Sequence, residues 1–125
     1  LLDTLLIDKS KDGVLYKANP PVRIPATRKN LLNDLLEGKI NNLESDHAPH
    51  THDEKINKYL SGIPNLASWP DFTRLLNKQG LSSEMMEMLA YENVNRIYNT
   101  KIPKLRSSIK NHLGEYAFDP YKPLK

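Results

Sequence analysis

The chain of 125 residues contains no cysteine. Disulfides, thiolate metal sites and a cysteine nucleophile are excluded, and the composition suits a reducing compartment, so a cytoplasmic location is expected. No apolar run approaches the roughly 18 residues needed to cross a bilayer, and no charged segment leads into an apolar stretch with a cleavage site. A membrane partner is not expected. Charge of one sign is also scarce in blocks: 18 Lys and Arg face 15 Asp and Glu, and the net +3 is spread along the chain. Nucleic acid is therefore not indicated as a partner. Internal repeats and low-complexity tracts are missing. So is an initiator methionine, since the chain opens Leu1-Leu2-Asp3, and the expectation is a fragment of a longer protein. A chain of this length makes at most one ordinary domain with a modest core.

What the sequence does hold is a dense polar cluster. Ser45-Asp46-His47-Ala48-Pro49-His50-Thr51-His52-Asp53-Glu54-Lys55 contains three of the four histidines and three carboxylates around one proline. Upstream, Asp12-Gly13 marks a turn and Val14 to Ala18 is a β-prone run stopped by Asn19-Pro20-Pro21. Leu31, Leu32, Leu35 and Leu36 recur at helical spacing, with Thr27 as an N-cap and Gly38 as the stop. A second strand is expected over Ile40 to Ser45. Short helices follow at His52 to Leu60 and Asp71 to Gln79, the latter stopped by Gly80. A final helical region is capped by Ser82 or Ser83, with Met86, Leu89, Ala90, Val94 and Ile97 along one face. Strand, helix, strand, helix is α/β order. Residues 1–99 then form the main unit, and 100–125, with Pro103, Pro120 and Pro123, an extended tail.

Asp46 falls at the exit of the second expected strand, the edge at which α/β barrels build active sites. A carboxylate there can ligate a divalent metal and take a proton from metal-bound water, while Pro49 stiffens the turn that aims His50. On spacing alone the plainer alternative stands beside this one: Asp46 caps the next helix and the histidines are solvated loop residues.

Asp46-His47-Ala48-Pro49-His50, with Glu54-Lys55 following, resembles the Asp-His-Ala-Pro-His signature of dihydroorotases, metal-dependent hydrolases of the amidohydrolase superfamily. Asn19-Pro20-Pro21-Val22-Arg23 resembles the family's Asn-Pro-Pro-Leu-Arg, at a similar interval before the signature. Gly62-Ile63-Pro64 is similar to its Gly-Ile loop, and Asn93-Val94-Asn95-Arg96-Ile97-Tyr98 to its Asn-Pro-Ala-Arg-Ile-Phe. Ala117-Phe118-Asp119-Pro120 is similar to a strand near its C-terminus. The resemblance runs over nearly the whole chain. It implies the C-terminal portion of a (β/α)₈ TIM barrel, incomplete as an isolated fragment: the last two barrel strands and their helices, with 100–125 leading into the start of a small C-terminal β-domain, about half of the typical ~250 residues.

The function implied is the reversible hydrolysis of the cyclic amide of dihydroorotate to N-carbamoyl-aspartate in pyrimidine synthesis. By resemblance, Asp46 is both a metal ligand and the catalytic acid/base. Asn19 and His50 bind the substrate carboxylate, and backbone at Gly62 contacts the ring. The implied cofactor is zinc, one or two ions in the intact enzyme. The family's His-x-His pair, its lysine or acidic ligand and its two further histidines are expected upstream of Leu1, and His50-Thr51-His52 lies in the wrong segment to replace them. One aspartate cannot hold a catalytic metal that needs three or more protein ligands. The chain alone is thus expected to bind zinc poorly and to be inactive. Its expected partners are the missing N-terminal barrel portion, a second copy of itself or aspartate transcarbamoylase.

Two other readings carry less. Hydantoinases and allantoinases share the Asp-His pair but usually lack the second histidine of the signature and the asparagine before Pro-Pro. A catalytically dead, scaffold-like dihydroorotase would differ only in the missing upstream ligands. Elsewhere the plain reading is preferred. Met85, Met86 and Met88 are helix packing, Trp69 is a packing anchor at a helix start, Arg23 supports its loop, and His112 has no assigned role. Open barrel edges and uncovered apolar faces predict that the isolated piece self-associates or pairs with its other half.

Overall fold

A computed structural model describes residues 1–8, 12–104 and 116–124; His112 and the middle of the predicted tail lie outside them. Helix α1 spans Thr4–Asp8, α2 Pro25–Leu36, α3 His52–Ile56, α4 Trp69–Lys78, α5 Ser83–Glu87 and α6 Asn93–Ile97, with a π-helical segment, Met88–Glu92, joining α5 to α6. None of these is long and apolar enough to cross a membrane.

The helix ends follow local chemistry. Pro25 opens α2, where its missing N–H leaves no unmet bond. Thr27 is therefore inside the helix, and the N-cap is Ile24 rather than the expected threonine. Gly38 ends α2 as expected, at φ 75°, a conformation that costs glycine little. The Ser82 hydroxyl accepts Met85 N–H at 3.1 Å and caps α5. Helix α3 stops at Ile56, short of the expected Leu60, and the chain reverses through Tyr59 at φ 54°.

Leu35, Leu76, Leu81 and Leu89 form the buried core, with Leu32, Leu36, Phe72, Met85 and Met86 packed against it. Helices α2, α4 and α5 and the π segment thus share one apolar centre, and two of the three methionines pack there as expected. Trp69 sits at the start of α4 with its ring centre 5.2 Å from that of Phe72. The predicted apolar face of the last helical region holds only in part. Leu89 is 1% exposed but Ile97 is 48% exposed. The extra residue in the π turn rotates everything after it by about 100° relative to an uninterrupted α-helix.

The two predicted strands are absent, and with them the α/β order: among the described residues the fold is helical with a single parallel bridge, His47 to Ile63. Val14 to Ala18 begins instead as a 3₁₀ turn over Gly13–Tyr16, which buries Leu15 and Tyr16. Ile40 to Ser45 takes no regular secondary structure and has no strand neighbour. Its Leu43 N–H goes to the Leu89 carbonyl at 3.1 Å, and its Asn41 carbonyl accepts Asn93 Nδ2 at 2.8 Å. Strand propensity reports how a side chain suits a pleated surface, and without a partner edge it builds no ladder. Phe118 to Pro120 likewise forms no strand; Phe118 meets Tyr16 edge-on at 5.2 Å, and Pro120 is fully buried.

An ionic contact ties α1 to α2 at the periphery. Asp3, 3% exposed, accepts Leu6 N–H at 3.0 Å and lies 3.0 Å from Arg28 Nε. That approach is off the N–H axis, so it is an ion pair and not a hydrogen bond.

Burial pushes the Tyr16 hydroxyl up to about 12, with the charges of Asp119 and Asp12 adding to the shift. Tyr121, stacked on Phe72 at 5.9 Å, is raised by the same burial and by Asp119. A tyrosine whose folded pKa is raised stabilises the fold fully below the unfolded value of about 10, and that contribution is lost as pH climbs through the folded value. For Tyr16 the two-unit rise corresponds to roughly 2–3 kcal/mol. Urea melts between pH 8 and 12 should therefore show a steep loss of stability starting near pH 10. Tyr16→Phe should flatten that loss, and an equally steep loss in Tyr16→Phe would refute the assignment.

Candidate active site

The signature lies where three segments run side by side. Gly62 N–H donates to the Lys17 carbonyl at 2.9 Å, and Ala48 N–H donates to the Ile63 carbonyl at 3.1 Å. The 62–63 segment is thus held between residue 17, just before the Asn19-Pro20-Pro21 turn, and residues 47–48 of the signature. Main-chain bonds thus join two of the motifs to each other and to the residue two positions before the third.

Asp46 stands at the head of this arrangement, exposed and at φ 44°. Aspartate tolerates the left-handed region better than most residues, but the conformation is uncommon, and such outliers cluster at functional sites. Asp46 lines a cavity of about 410 Å³ together with Pro20, Pro21, Arg23, Asn65, Ile63 and Tyr121. The cleft is mostly apolar, with one carboxylate, Asp46, and two arginines, Arg23 and Arg28, among its lining residues. The Arg23 carbonyl accepts Thr4 N–H at 3.0 Å. Asn19 is exposed next to this cleft, while its neighbours Ala18 and Pro20 line it.

His50 faces elsewhere. It lines a second cavity of about 330 Å³ with Pro49, Thr51, His52, Glu54 and Tyr116. Its Nε2 lies 3.1 Å from the Ser61 carbonyl, and its Nδ1 lies 3.7 Å from Glu54 Oε2. Glu54 is fixed by a capping box: it accepts Thr51 N–H at 3.0 Å while the Thr51 hydroxyl accepts Glu54 N–H at 3.3 Å. These bonds from Thr51 hold the Glu54 carboxyl below the usual range. Gly62 is buried beneath His50: a Cβ there would stand 3.0 Å from the His50 ring and 2.3 Å from the Ala48 carbonyl. His47 Nδ1 accepts Leu66 N–H at 3.1 Å, and its ring is edge-on to Tyr116.

The fold therefore brings Gly62 to His50 and Asp46 to the Asn19 loop, but leaves Asp46 and His50 facing separate cavities. Nor do the described residues form a metal centre: no group of three His, Asp or Glu side chains converges. His47 and His50 each commit a ring nitrogen to main chain. By themselves the described residues do not make up the donor set of a catalytic ion.

One important residue escaped the sequence. Lys55 is 1% exposed, and its ammonium donates to the carbonyls of Gly62 at 2.7 Å, Lys17 at 2.9 Å and Leu60 at 3.0 Å. A lysine in a polar run reads as a solvated side chain, and only its place directly after Glu54 in the signature hinted otherwise.

Comparisons with known proteins agree with these motifs. The chain is 38% identical over 104 residues to a dihydroorotase of Thermoplasma acidophilum and 34% identical over 106 residues to one of Fusobacterium nucleatum. Each alignment covers 81% of this chain and 25% of the relative. A Bacillus subtilis dihydroorotase is 47% identical over 53 residues, 41% of this chain and 12% of that protein. No family model matches the chain, and no solved structure does. The chain spans about a quarter of the length of the first two of these relatives. With over four-fifths of its residues aligned to them, it belongs by sequence to the dihydroorotases.

Proposed function

We propose that this chain is the C-terminal, substrate-facing portion of a dihydroorotase, part of a (β/α)₈ barrel completed by polypeptide outside it. The intact protein would open and close the cyclic amide of dihydroorotate, with N-carbamoyl-aspartate as the ring-opened form, in pyrimidine biosynthesis. The observation that carries this proposal is Asp46: a left-handed aspartate at the lip of an apolar cleft, directly preceding His47-Ala48-Pro49-His50 and sharing that cleft with the Asn19–Arg23 turn.

Its own residues suggest a division of labour. Asp46, exposed at the cleft, can accept a proton from an attacking water and return it to the departing amide nitrogen. In the completed barrel, Asn19 and His50, which border separate cavities here, would together hold the substrate carboxylate, and Gly62 would contact the ring through its backbone. The zinc of such an enzyme would take Asp46 as one ligand and draw the others from the rest of the protein.

In the longer protein that contains this segment, Asp46→Asn should lower dihydroorotate turnover by about a hundredfold or more, the scale of a lost acid/base group. Its circular dichroism should stay unchanged. The 125-residue chain alone should show no turnover. Undiminished activity in Asp46→Asn, or an intact protein that leaves dihydroorotate untouched, would overturn the proposal.

A further inference from the structure

Among the described residues Lys55 is the most deeply buried charged side chain. An ammonium has three donors, and here main-chain carbonyls take all three. Two of these acceptors, Leu60 and Gly62, flank Ser61, whose own carbonyl lies 3.1 Å from His50 Nε2. A carbonyl only accepts, so His50 donates from Nε2. The third acceptor, Lys17, also receives Gly62 N–H, so Lys55 joins the same two segments that this main-chain bond joins. The His50 ring rests against Gly62 and is hydrogen-bonded to Ser61, both in the loop that Lys55 grips from its buried side.

We propose that Lys55 is a positioning residue for His50: its three carbonyl bonds fix the Leu60–Gly62 loop, and that loop sets where the second histidine of the signature stands. The part of this that concerns catalysis rests on the dihydroorotase assignment; the geometric part does not.

Two measurements separate them. In the chain itself, NMR should show a strong cross-peak between His50 Hδ2 and the Gly62 α-protons, since a Cβ on Gly62 would lie only 3.0 Å from His50 Cδ2. Lys55→Met should abolish it while the contact between His47 and Tyr116 persists. A cross-peak of full intensity in a folded Lys55→Met chain overturns the proposal. Should that variant not fold, Lys55→Arg decides in its place. A planar guanidinium cannot bring three donors to one point, so the cross-peak should weaken by about half or more, and full intensity again refutes.

In the longer protein, Lys55→Met should lower kcat/KM for dihydroorotate about tenfold or more, yet by less than about twofold in a His50→Ala background. A residue that merely stabilised the fold would give additive losses, and additivity would sink the catalytic part. An intact protein with no dihydroorotate turnover would instead refute the dihydroorotase assignment, leaving the cross-peak to judge the geometry.

Discussion

Alanine at position 62 is expected to destabilise the chain by about 3–5 kcal/mol, from a strained backbone and an overpacked contact together. Gly62 sits at φ 152°, which side-chain-bearing residues rarely adopt, and its added Cβ would meet the Ala48 carbonyl oxygen at 2.3 Å and the Ala48 Cβ at 2.9 Å. Neither atom belongs to a flexible side chain, and Ala48 is held by its hydrogen bond to Ile63. The collision therefore cannot be relieved by a rotamer change. Gly38 supplies the control. It also has positive φ, at 75°, but a methyl group added there would meet nothing within 4 Å, so Gly38→Ala should cost only about 1 kcal/mol. Urea denaturation of both variants tests the contrast, and equal losses would show that backbone strain alone matters at position 62.

Replacing Lys55 by methionine should cost about 3–5 kcal/mol, even though methionine fills a similar volume. The reason is what stays behind: three carbonyls that lose their donor, two of them in the tight loop around Ser61, and each buried orphan costs about 1–3 kcal/mol before relaxation and water recover part of it. Lys55→Arg should fall between methionine and the parent. Burial pushes the Lys55 ammonium below its usual range, and the nearby Lys17 charge adds to this. The folded chain thus holds fewer protons than the unfolded one between that lowered value and about 10.4, so this group makes stability rise with pH across that window. The slope should vanish in Lys55→Met. A methionine variant as stable as the parent, with an unchanged pH dependence, would show that the lysine is not what holds the loop. The sign is opposite to that of Tyr16, whose contribution disappears above about pH 10, so the two can be separated by titration.

Helices proved easier to read from the residues than strands, for physical reasons. Gly38 and Gly80 stop their helices and Ser82 caps its own, because each acts within one turn of chain. Pro25 displaced Thr27 as the start of α2 through an equally local rule, one that the threonine cap obscured. Val14 to Ala18 and Ile40 to Ser45 have suitable side chains for strands, but a ladder depends on a neighbour that local sequence does not specify. At the site, the grouping of Asp46 with the Asn19 turn followed from the motifs. The separation of His50 from Asp46 did not, because it depends on a loop gripped by Lys55 from a position whose three partners lie 5, 7 and 38 residues away.

The π segment, finally, works as a phase shifter. By closing its turn over one extra residue it leaves the Leu89 carbonyl available to Leu43, while Asn93, at the start of the next turn, reaches the carbonyl of Asn41. The stretch that leads into Asp46 is thereby docked onto a helix by two hydrogen bonds. Excising one residue between Met88 and Glu92 would barely change the helix in length and composition, yet would turn Asn93 away from its acceptor and uncouple the approach to the signature. Here a count of residues, rather than their identity, carries the information.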